Sequence, residues 1–400
     1  MNQIYFLAAF WFLAAVVSTV LANRLKISIA LMEISVGALI GYAALRLGLF
    51  DRLGLQTDWL RLLSGIGAIL LTFLAGAELS PGIMRSKIKE VSAVGLTGFF
   101  APFIGCFLIA RYVIGWDPRA SLLCGIALST TSMAVVYTVM LESGFNRTEY
   151  GKGILGSCFV NDLGTVIGLG LIFAPFTYRT IFFVAANVAL VFVLPRITNL
   201  LIRHFAYKTS AIRAKWILFV VLSMGVLALW SGSEPVLPAY IIGMALANTM
   251  EKDGHFVRRL RTLTVGFLTP LYFLRAGALV SVPALAAAPL VFIVLFGGKV
   301  MTKIFGLYPV LHAFKENRRE KWYYTLLMST GLTFGTISAL FGLTHRIISQ
   351  EQYSFIVGAV IASAVIPTLA ANKFFLPGHL LEAPLVDDQA PDERDIANKL

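Results

Sequence analysis

The chain has 400 residues, of which 58% are hydrophobic and 14% charged, and its mean hydropathy is +0.80. Soluble domains are about half apolar and about a quarter charged, so this composition excludes a soluble enzyme, a disordered regulator and a disulfide scaffold. The net charge of +12 would suggest a nucleic-acid partner unless the cations have another explanation. Cys106, Cys124 and Cys158 all lie in apolar runs, which is typical of inert buried thiols and gives no disulfide framework.

Thirteen apolar segments, bounded by charge, Pro or Gly, approach the roughly 20 residues that a membrane-spanning helix needs. In chain order they cover residues 4–22, 29–49, 60–77, 90–113, 119–141, 151–173, 180–202, 214–231, 235–249, 263–283, 286–311, 322–344 and 353–375. The first segment lacks a basic start and a small-residue cleavage site, so we interpret it as a retained helix. The sequence therefore predicts an all-α polytopic membrane protein in which residues 1–376 form one transmembrane unit.

The charges of the connecting loops predict the orientation of these spans. With the N-terminus outside, the cytoplasmic loops carry 20 Lys and Arg residues and the outer loops carry seven. The seven outer cations are Arg46, Arg52, Arg61, Arg111, Arg119, Arg179 and Arg346. This is the bias of the positive-inside rule, so the basic surplus is explained by topology in the cell (inner) membrane and not by nucleic acid. Residues 377–400 are acidic and lack an apolar core, which predicts a short, solvated cytoplasmic tail.

The sixth predicted span carries Asn161 and Asp162 at its centre, near the bilayer midplane. An ionisable side chain at that depth costs several kcal/mol unless it faces a cavity or a partner. Asp162 is either a carboxylate held neutral for packing, or one that carries a proton or a dehydrated cation but not both together. Burial favours the protonated form and a bound cation favours the ionised form, and that competition is itself a mechanism for exchange.

Two further spans have polar runs at their midpoints. Residues 129–132 are four consecutive Ser or Thr residues, and Ser329-Thr330-Gly331-Leu332-Thr333 lies seven spans later. Hydroxyl side chains compete for backbone groups and weaken a helix, although small residues also serve close helix packing. Interrupted spans at matching positions of two inverted halves indicate the binding site of a transporter.

Several charged residues also fall within the predicted spans. Lys299 is central in the eleventh span and needs an anion, for which Asp162 is the obvious partner, either as a structural ion pair or in proton coupling. Lys303 lies one turn nearer the cytoplasm, and we expect it to snorkel there. We interpret Glu78 and Glu33 as interfacial, whereas Arg275 is an intramembrane charge without an obvious partner.

The sequence contains no motif for other classes of chemistry. It contains no phosphate loop, no metal-spaced His cluster, no Gly-x-Ser-x-Gly turn, no channel filter and no Arg ladder. We therefore expect no enzyme activity and no cofactor.

The chain resembles the monovalent cation:proton antiporter superfamily, nearest its bacterial sodium/proton antiporter branch with Kef-like and NapA-like membrane domains. The resemblance covers residues 1–376. It rests on segments 73–78, 129–132, 161–162, 235–243, 298–299 and 329–335. It implies inverted repeats, two crossed discontinuous helices in the fifth and twelfth spans, a core of helices at about 90–173 and 286–375, a dimerisation domain formed by the remainder, and a homodimer that works as an elevator.

The resemblance also implies roles for single residues. Asp162 would bind the monovalent cation or the proton, with Asn161 as its neighbour, Thr131 lining the broken-helix crossing and Lys299 as the basic residue of the opposing core helix. The full set of predicted cation- and proton-binding residues is Asp162, Asn161, Thr131, Thr130 and Ser132, with Lys299 for ion pairing or proton coupling and Glu78, Ser157, Thr330 and Lys303 as further possibilities.

Departures from the family pattern leave stoichiometry and ligands open. Electrogenic relatives resemble one another in having two adjacent aspartates, whereas this chain has Asn161-Asp162, and Cys158 stands where some members place a cation-liganding serine. The predicted function is electroneutral or nearly electroneutral exchange of Na+ or Li+, less readily K+, for protons. The alternatives are a Kef-like potassium/proton antiporter, a cation channel or a sodium-coupled organic-anion symporter.

Overall fold

The computed structural model describes residues 2–25, 29–77, 86–145, 148–173, 177–205, 212–233, 235–251 and 254–380. Within these ranges the chain is helical and contains no strand. Its helices are α1 (Asn2–Leu25), α2 (Ile29–Arg46), α3 (Asp58–Ala77), α4 (Ile88–Leu108), α5 (Pro118–Ser129), α6 (Met133–Ser143), α7 (Glu149–Phe173), α8 (Tyr178–Phe205), α9 (Ile212–Trp230), α10 (Val236–Glu251), α11 (Gly254–Leu263), α12 (Thr269–Ala278), α13 (Val282–Ala287), α14 (Pro289–Leu311), α15 (Arg318–Met328), α16 (Thr333–Thr344) and α17 (Gln350–Ala370). Single π-helical turns extend α4 and α17 and join α11 to α12.

Nine helical segments of the described ranges are long and apolar enough to cross a membrane. They coincide with nine of the predicted spans. The other four predicted spans fall on α3, on α5 with α6, on α10, and on α12 with the π-helical turn that precedes it. The prediction of an all-α, multi-pass membrane protein is confirmed, whereas the number of 13 spans stays a prediction.

Two of the spans are interrupted where the polar runs predicted it. α5 ends at Ser129, the backbone of Thr130 is extended (φ −63°, ψ 151°), and α6 begins three residues later. The Ser132 hydroxyl accepts a hydrogen bond from Val135 N at 3.3 Å, which caps the first turn of α6. In the same way α15 ends before residues 329–332 and α16 follows. Each span therefore consists of two half-helices that meet at polar, non-helical backbone.

One group of helices is held together by close backbone contact at glycines. A methyl group on Gly37 of α2, or on Gly277 of α12, would overlap backbone atoms of the opposite helix. Gly76 of α3 and Gly243 of α10 face each other in the same way. Small residues at such positions allow membrane helices to gain packing energy at short separation, so α2 with α12 and α3 with α10 form a tightly fitted unit.

The second group surrounds the broken helices. α4 packs against α5, α7 and α14, while α17 packs against α14 and α16. Aromatic side chains join this group to the first: the ring of Tyr240 in α10 stacks on Phe159 of α7, with 5.4 Å between ring centroids, and meets Phe334 of α16 edge-on. α7 therefore lies between the broken helices and the glycine-packed unit.

Two of the charges within the predicted spans, Glu33 and Arg275, are among the described residues. Glu33 is 2% exposed within α2, so protein covers it, and its expected interfacial depth stays a prediction. Arg275 in α12 has a partner, because its Nε donates a hydrogen bond to Leu55 O at 2.8 Å. The expectations for Glu78 and for the tail beyond residue 380 lie outside the described residues.

Candidate functional site

The two helix breaks touch each other directly. The backbone N–H of Ser132 donates to Thr330 O at 3.1 Å, and the Thr131 hydroxyl donates to Met328 O at 2.8 Å. These bonds satisfy polar backbone groups that the interrupted helices leave free, as lipid-buried protein requires. Two crossed discontinuous helices are thus present, and Thr130, Thr131, Ser132 and Thr330 meet in one place.

Asn161 closes the break of the first crossed helix. Its Oδ1 accepts from Thr131 N at 2.9 Å, and its Nδ2 donates to Ser129 O at 3.3 Å. The side chain is fully buried. An amide carries both an acceptor and a donor, so Asn161 satisfies one orphaned N–H and one orphaned carbonyl together. An ionised aspartate at this position could do only the first.

Asp162 is the next residue of α7 and has a different environment. Its side chain is 0% exposed, and neither carboxylate oxygen accepts a hydrogen bond from the described residues. Buried carboxylates are ordinarily stabilised by donors or by a cation. The site therefore presents two carboxylate oxygens without a described donor beside the crossing, and these can bind a proton or a metal cation.

Lys299 reaches the crossing from α14. Its Nζ donates to Thr130 O at 3.2 Å, at the carboxyl end of α5. A Cβ on Gly331 would overlap this ammonium group, so the amine occupies space that only glycine leaves open. The partial negative charge at a helix C-terminus attracts a cation, and Lys299 supplies one without an ion pair to any described carboxylate.

Lys303 also reaches this site. The separate prediction that its amine extends to the cytoplasmic interface is wrong. Lys303 is 0% exposed and does not snorkel: its Nζ donates to Thr131 Oγ1 at 2.9 Å. The expected ion pair is also wrong, because within the described part of the chain no Lys nitrogen lies within 4.0 Å of an Asp162 oxygen. Both lysines nonetheless lie within electrostatic range of Asp162.

The polar residues one turn before Asp162 have two different sets of contacts. The Ser157 hydroxyl is 2.7 Å from Tyr324 Oη, which donates to Gly153 O at 2.9 Å. Cys158 contacts the sulfur of Met328 at 3.6 Å. Ser157 therefore does not reach the crossing of the broken helices.

Sequence reasoning missed Tyr240, which is fully buried and donates to Phe159 O at 3.3 Å. Phe159 lies three positions before Asp162 in α7, so the Tyr240 hydroxyl is held against the turn that precedes the carboxylate. An aromatic residue in an apolar helix gave no signal that would have distinguished it from core packing.

Two neighbouring cavities lie on the Thr165 side of Asp162, which lines neither of them. A 20 Å³ cavity, room for about one water, lies beside Thr165, one turn beyond Asp162. A 510 Å³ cavity, here called the arginine cavity, opens at the start of α3 and the end of α16 and shares Val236, Ile337 and Phe341 with the small one. Towards the other end of α7 the corresponding space is filled by the packed rings of Tyr150, Tyr323, Tyr324 and Phe145.

The donors at the crossing suit a hard monovalent cation. Among the described residues no group of three or more His, Cys, Asp or Glu is placed to hold a metal ion. What the site provides is one carboxylate together with backbone carbonyl and hydroxyl oxygens, the ligand type preferred by hard cations.

Comparisons with known proteins agree with this architecture. Residues 12–372 match the family described as sodium/hydrogen exchanger, transmembrane. The chain is 24% identical over 338 residues to the probable Na(+)/H(+) antiporter 3 of Methanocaldococcus jannaschii, covering 80% of this chain and 86% of that protein. It is 24% identical over 382 residues to a Na(+)/H(+) antiporter of Enterococcus hirae, covering 90% and 95%. The structure of the sodium proton antiporter MjNhaP1 from M. jannaschii at pH 8 superposes with a TM-score of 0.69 at 15% identity, over 92% of this chain and 97% of that one, and shares its fold.

Proposed function

Because the chain belongs to the sodium/hydrogen exchanger family, we propose that Asp162 is the group at which a monovalent cation and a proton replace each other. The protein is a multi-pass membrane transporter of the cation/proton antiporter type and not an enzyme. The observation that carries the proposal is the buried carboxylate whose two oxygens accept no hydrogen bond from the described residues. An empty anion there costs several kcal/mol, and either a proton or Na+ removes that cost.

Charge at the crossing determines the stoichiometry. If Lys299 and Lys303 keep their protons, protonated Asp162 and Na+-bound Asp162 give the site the same total charge. Either loaded form then crosses more cheaply than the unloaded anion, and one Na+ exchanges for one proton. If a lysine instead releases its proton when the cation binds, two protons move and each uncompensated charge is worth about 2.3 kcal/mol per 100 mV.

The packing supports an elevator movement of the site. The broken helices are joined to each other by backbone and hydroxyl bonds. Across the boundary, Tyr240 meets Phe159 and Phe334 through ring faces and edges, and the contacts that accompany them are single side-chain hydrogen bonds, such as that from the Tyr240 hydroxyl to Phe159 O. Aromatic surfaces without interlocked backbone suit sliding better than the glycine contacts of α2 with α12. In the proposed cycle, α4–α7 and α14–α17 carry Asp162 past the glycine-packed unit, and the arginine cavity gives access from one side.

The remaining assignments complete the proposal. Na+ and Li+ are the cations transported, with K+ as in Kef-like exchange the alternative. The N-terminus lies outside the cell membrane, which places the arginine cavity on the outer side. A homodimer is the working state, and apolar side chains exposed on α1 and α8 support contact with lipid or with a second copy.

A proteoliposome assay with Asp162→Asn tests the central assignment. Internal pH is followed by a dye after a Na+, Li+ or K+ pulse, with the membrane potential clamped at several values. We expect no cation-dependent proton flux from Asp162→Asn, and normal flux from the matched control Glu351→Gln, an exposed acid in the first turn of α17. Wild-type flux in Asp162→Asn would refute the assignment. Cation flux without proton movement would indicate a channel instead.

A further inference from the structure

The arginine cavity has an unusual charge for the access route of a cation. Of its lining side chains, three are arginines, Arg61, Arg275 and Arg346, and the described lining contains no Asp or Glu. The side chains of Gln56 and Gln350 add amide groups to the wall. The cavity thus brings together arginines from distant parts of the sequence, since Arg61 and Arg346 are more than 280 positions apart.

The guanidinium groups have donors to spare. Arg275 is 9% exposed and uses Nε for Leu55 O, which leaves the N–H groups of its two terminal nitrogens. Within the described ranges no carboxylate lies within 4.0 Å of any of the three arginines. Arg61 and Arg275 are close enough to repel each other electrostatically. These like charges in a partly enclosed space therefore have no counter-charge among the residues that the structure describes.

We propose that the arginine cavity is a binding site for a small oxyanion, of the carboxylate, bicarbonate or phosphate type. Guanidinium forks match the paired oxygens of such groups and bind them with charge-assisted hydrogen bonds. At 510 Å³ the cavity holds an anion of this size together with water. A halide offers no paired oxygens, so it should bind more weakly.

The bound oxyanion has a consequence for transport. The cavity shares three lining residues with the small cavity beside Thr165. With the arginine cavity as the access route of the proposed function, a cation bound for Asp162 passes the arginines. Their field opposes a cation, and an anion held between them offsets it. This consequence rests on the proposed function, whereas binding of the oxyanion does not.

Binding is tested on the purified full chain in detergent, buffered with Tris chloride. Thermal unfolding is followed while acetate, bicarbonate or phosphate replaces chloride at constant Na+, pH and ionic strength. The test variant is Arg61→Gln/Arg346→Gln, which keeps the buried Arg275. The control is Arg119→Gln/Arg179→Gln, which removes the same charge from two exposed arginines that do not line the cavity. A parallel arm adds phosphatidylglycerol to distinguish a lipid phosphate from a free one.

We expect at least one oxyanion to stabilise the wild type and the control, with an apparent dissociation constant at least about tenfold weaker in Arg61→Gln/Arg346→Gln, equivalent to about 1.4 kcal/mol. Protection by phosphatidylglycerol alone, lost in that variant, also supports the site and identifies lipid as its source. Equal stabilisation of all variants, no stabilisation, or chloride as effective as the oxyanions overturns the proposal.

Two further measurements separate this site from its surroundings. Glu234 precedes the cavity residue Pro235 in the sequence and lies outside the described residues; oxyanion binding that occurs only in Glu234→Gln would overturn the proposal for the native chain. Asp162→Asn should retain oxyanion binding. Failure of the proposed transport mechanism and failure of the anion site are therefore distinguishable.

Discussion

The substitution Asn161→Asp separates the structural role of this position from its chemical one. The amide donates to Ser129 O and accepts from Thr131 N. An ionised aspartate keeps the bond from Thr131 but cannot donate, so the Ser129 carbonyl loses its partner inside the protein. A protonated aspartic acid restores the donor. The effect of the substitution on stability should therefore depend on pH.

The expected magnitude follows from the single lost bond. Side-chain hydrogen bonds within membranes contribute about 0.6 kcal/mol on average and up to about 1.7, and an orphaned buried acceptor costs about 1–3 kcal/mol in soluble proteins. We expect Asn161→Asp to lose at least about 1–2 kcal/mol relative to the wild type at pH 9, from the orphaned Ser129 carbonyl alone. The second carboxylate buried beside Asp162 adds to this loss. Unfolded aspartic acid loses its proton near pH 4. The cost of holding that proton, or of burying the charge, accordingly increases as the pH rises from about 5.

The assay compares thermal midpoints of wild type, Asn161→Asp and Asn161→Ala in one detergent from pH 5 to pH 9. Asn161→Ala loses both hydrogen bonds at every pH, so its deficit relative to the wild type should be constant. The deficit of Asn161→Asp should be small at pH 5 and grow steadily. A deficit that is the same at both ends of the range would refute the bonding assigned to Asn161.

Two further substitutions test the lysines at the crossing. Lys303→Gln removes the cation that donates to Thr131 Oγ1 near two half-helix ends; we expect a loss of about 0.3–2 kcal/mol in thermal stability, the range for a charge at a helix C-terminus, measured by thermal unfolding, and a stability equal to wild type would contradict this. Gly331→Ala places a methyl group on the Lys299 ammonium, so we expect exchange in proteoliposomes to slow about tenfold, equivalent to about 1.4 kcal/mol. Gly297→Ala, in the same helix as Lys299 with open space around its Cβ, is the matched control and should leave the rate unchanged.

The local features of the site were predictable because they depend on neighbours in the sequence. Four adjacent hydroxyl residues at 129–132 weaken a helix by local competition for backbone groups, and the break falls there. Asp162 stands out because charge at mid-span is costly in lipid. The pairing of Asn161 with Ser129 and Thr131, by contrast, depends on how α7 crosses α5, which no local pattern encodes.

The distant features required the tertiary structure. Lys303 lies one turn from Lys299, so the sequence places both on one face of α14; whether its amine turns to solvent or to Thr131 depends on where the crossing sits along the helix. Arg61 and Arg346 were counted only as outer-loop cations. Their convergence on Arg275 arises from the packing of α3, α12 and α16.

The glycine contacts between α2 and α12 have a consequence for biosynthesis. Gly37 and Gly277 are separated by 240 positions, yet each packs against backbone of the other helix. During translation α2 must therefore enter the bilayer long before its partner leaves the ribosome. Until then the backbone of α2 around Ile34 and Gly37 lacks the helix that covers it in the finished protein. Chaperoning of this early helix by the insertion machinery, and not its own hydrophobicity alone, should limit the yield of correctly assembled protein.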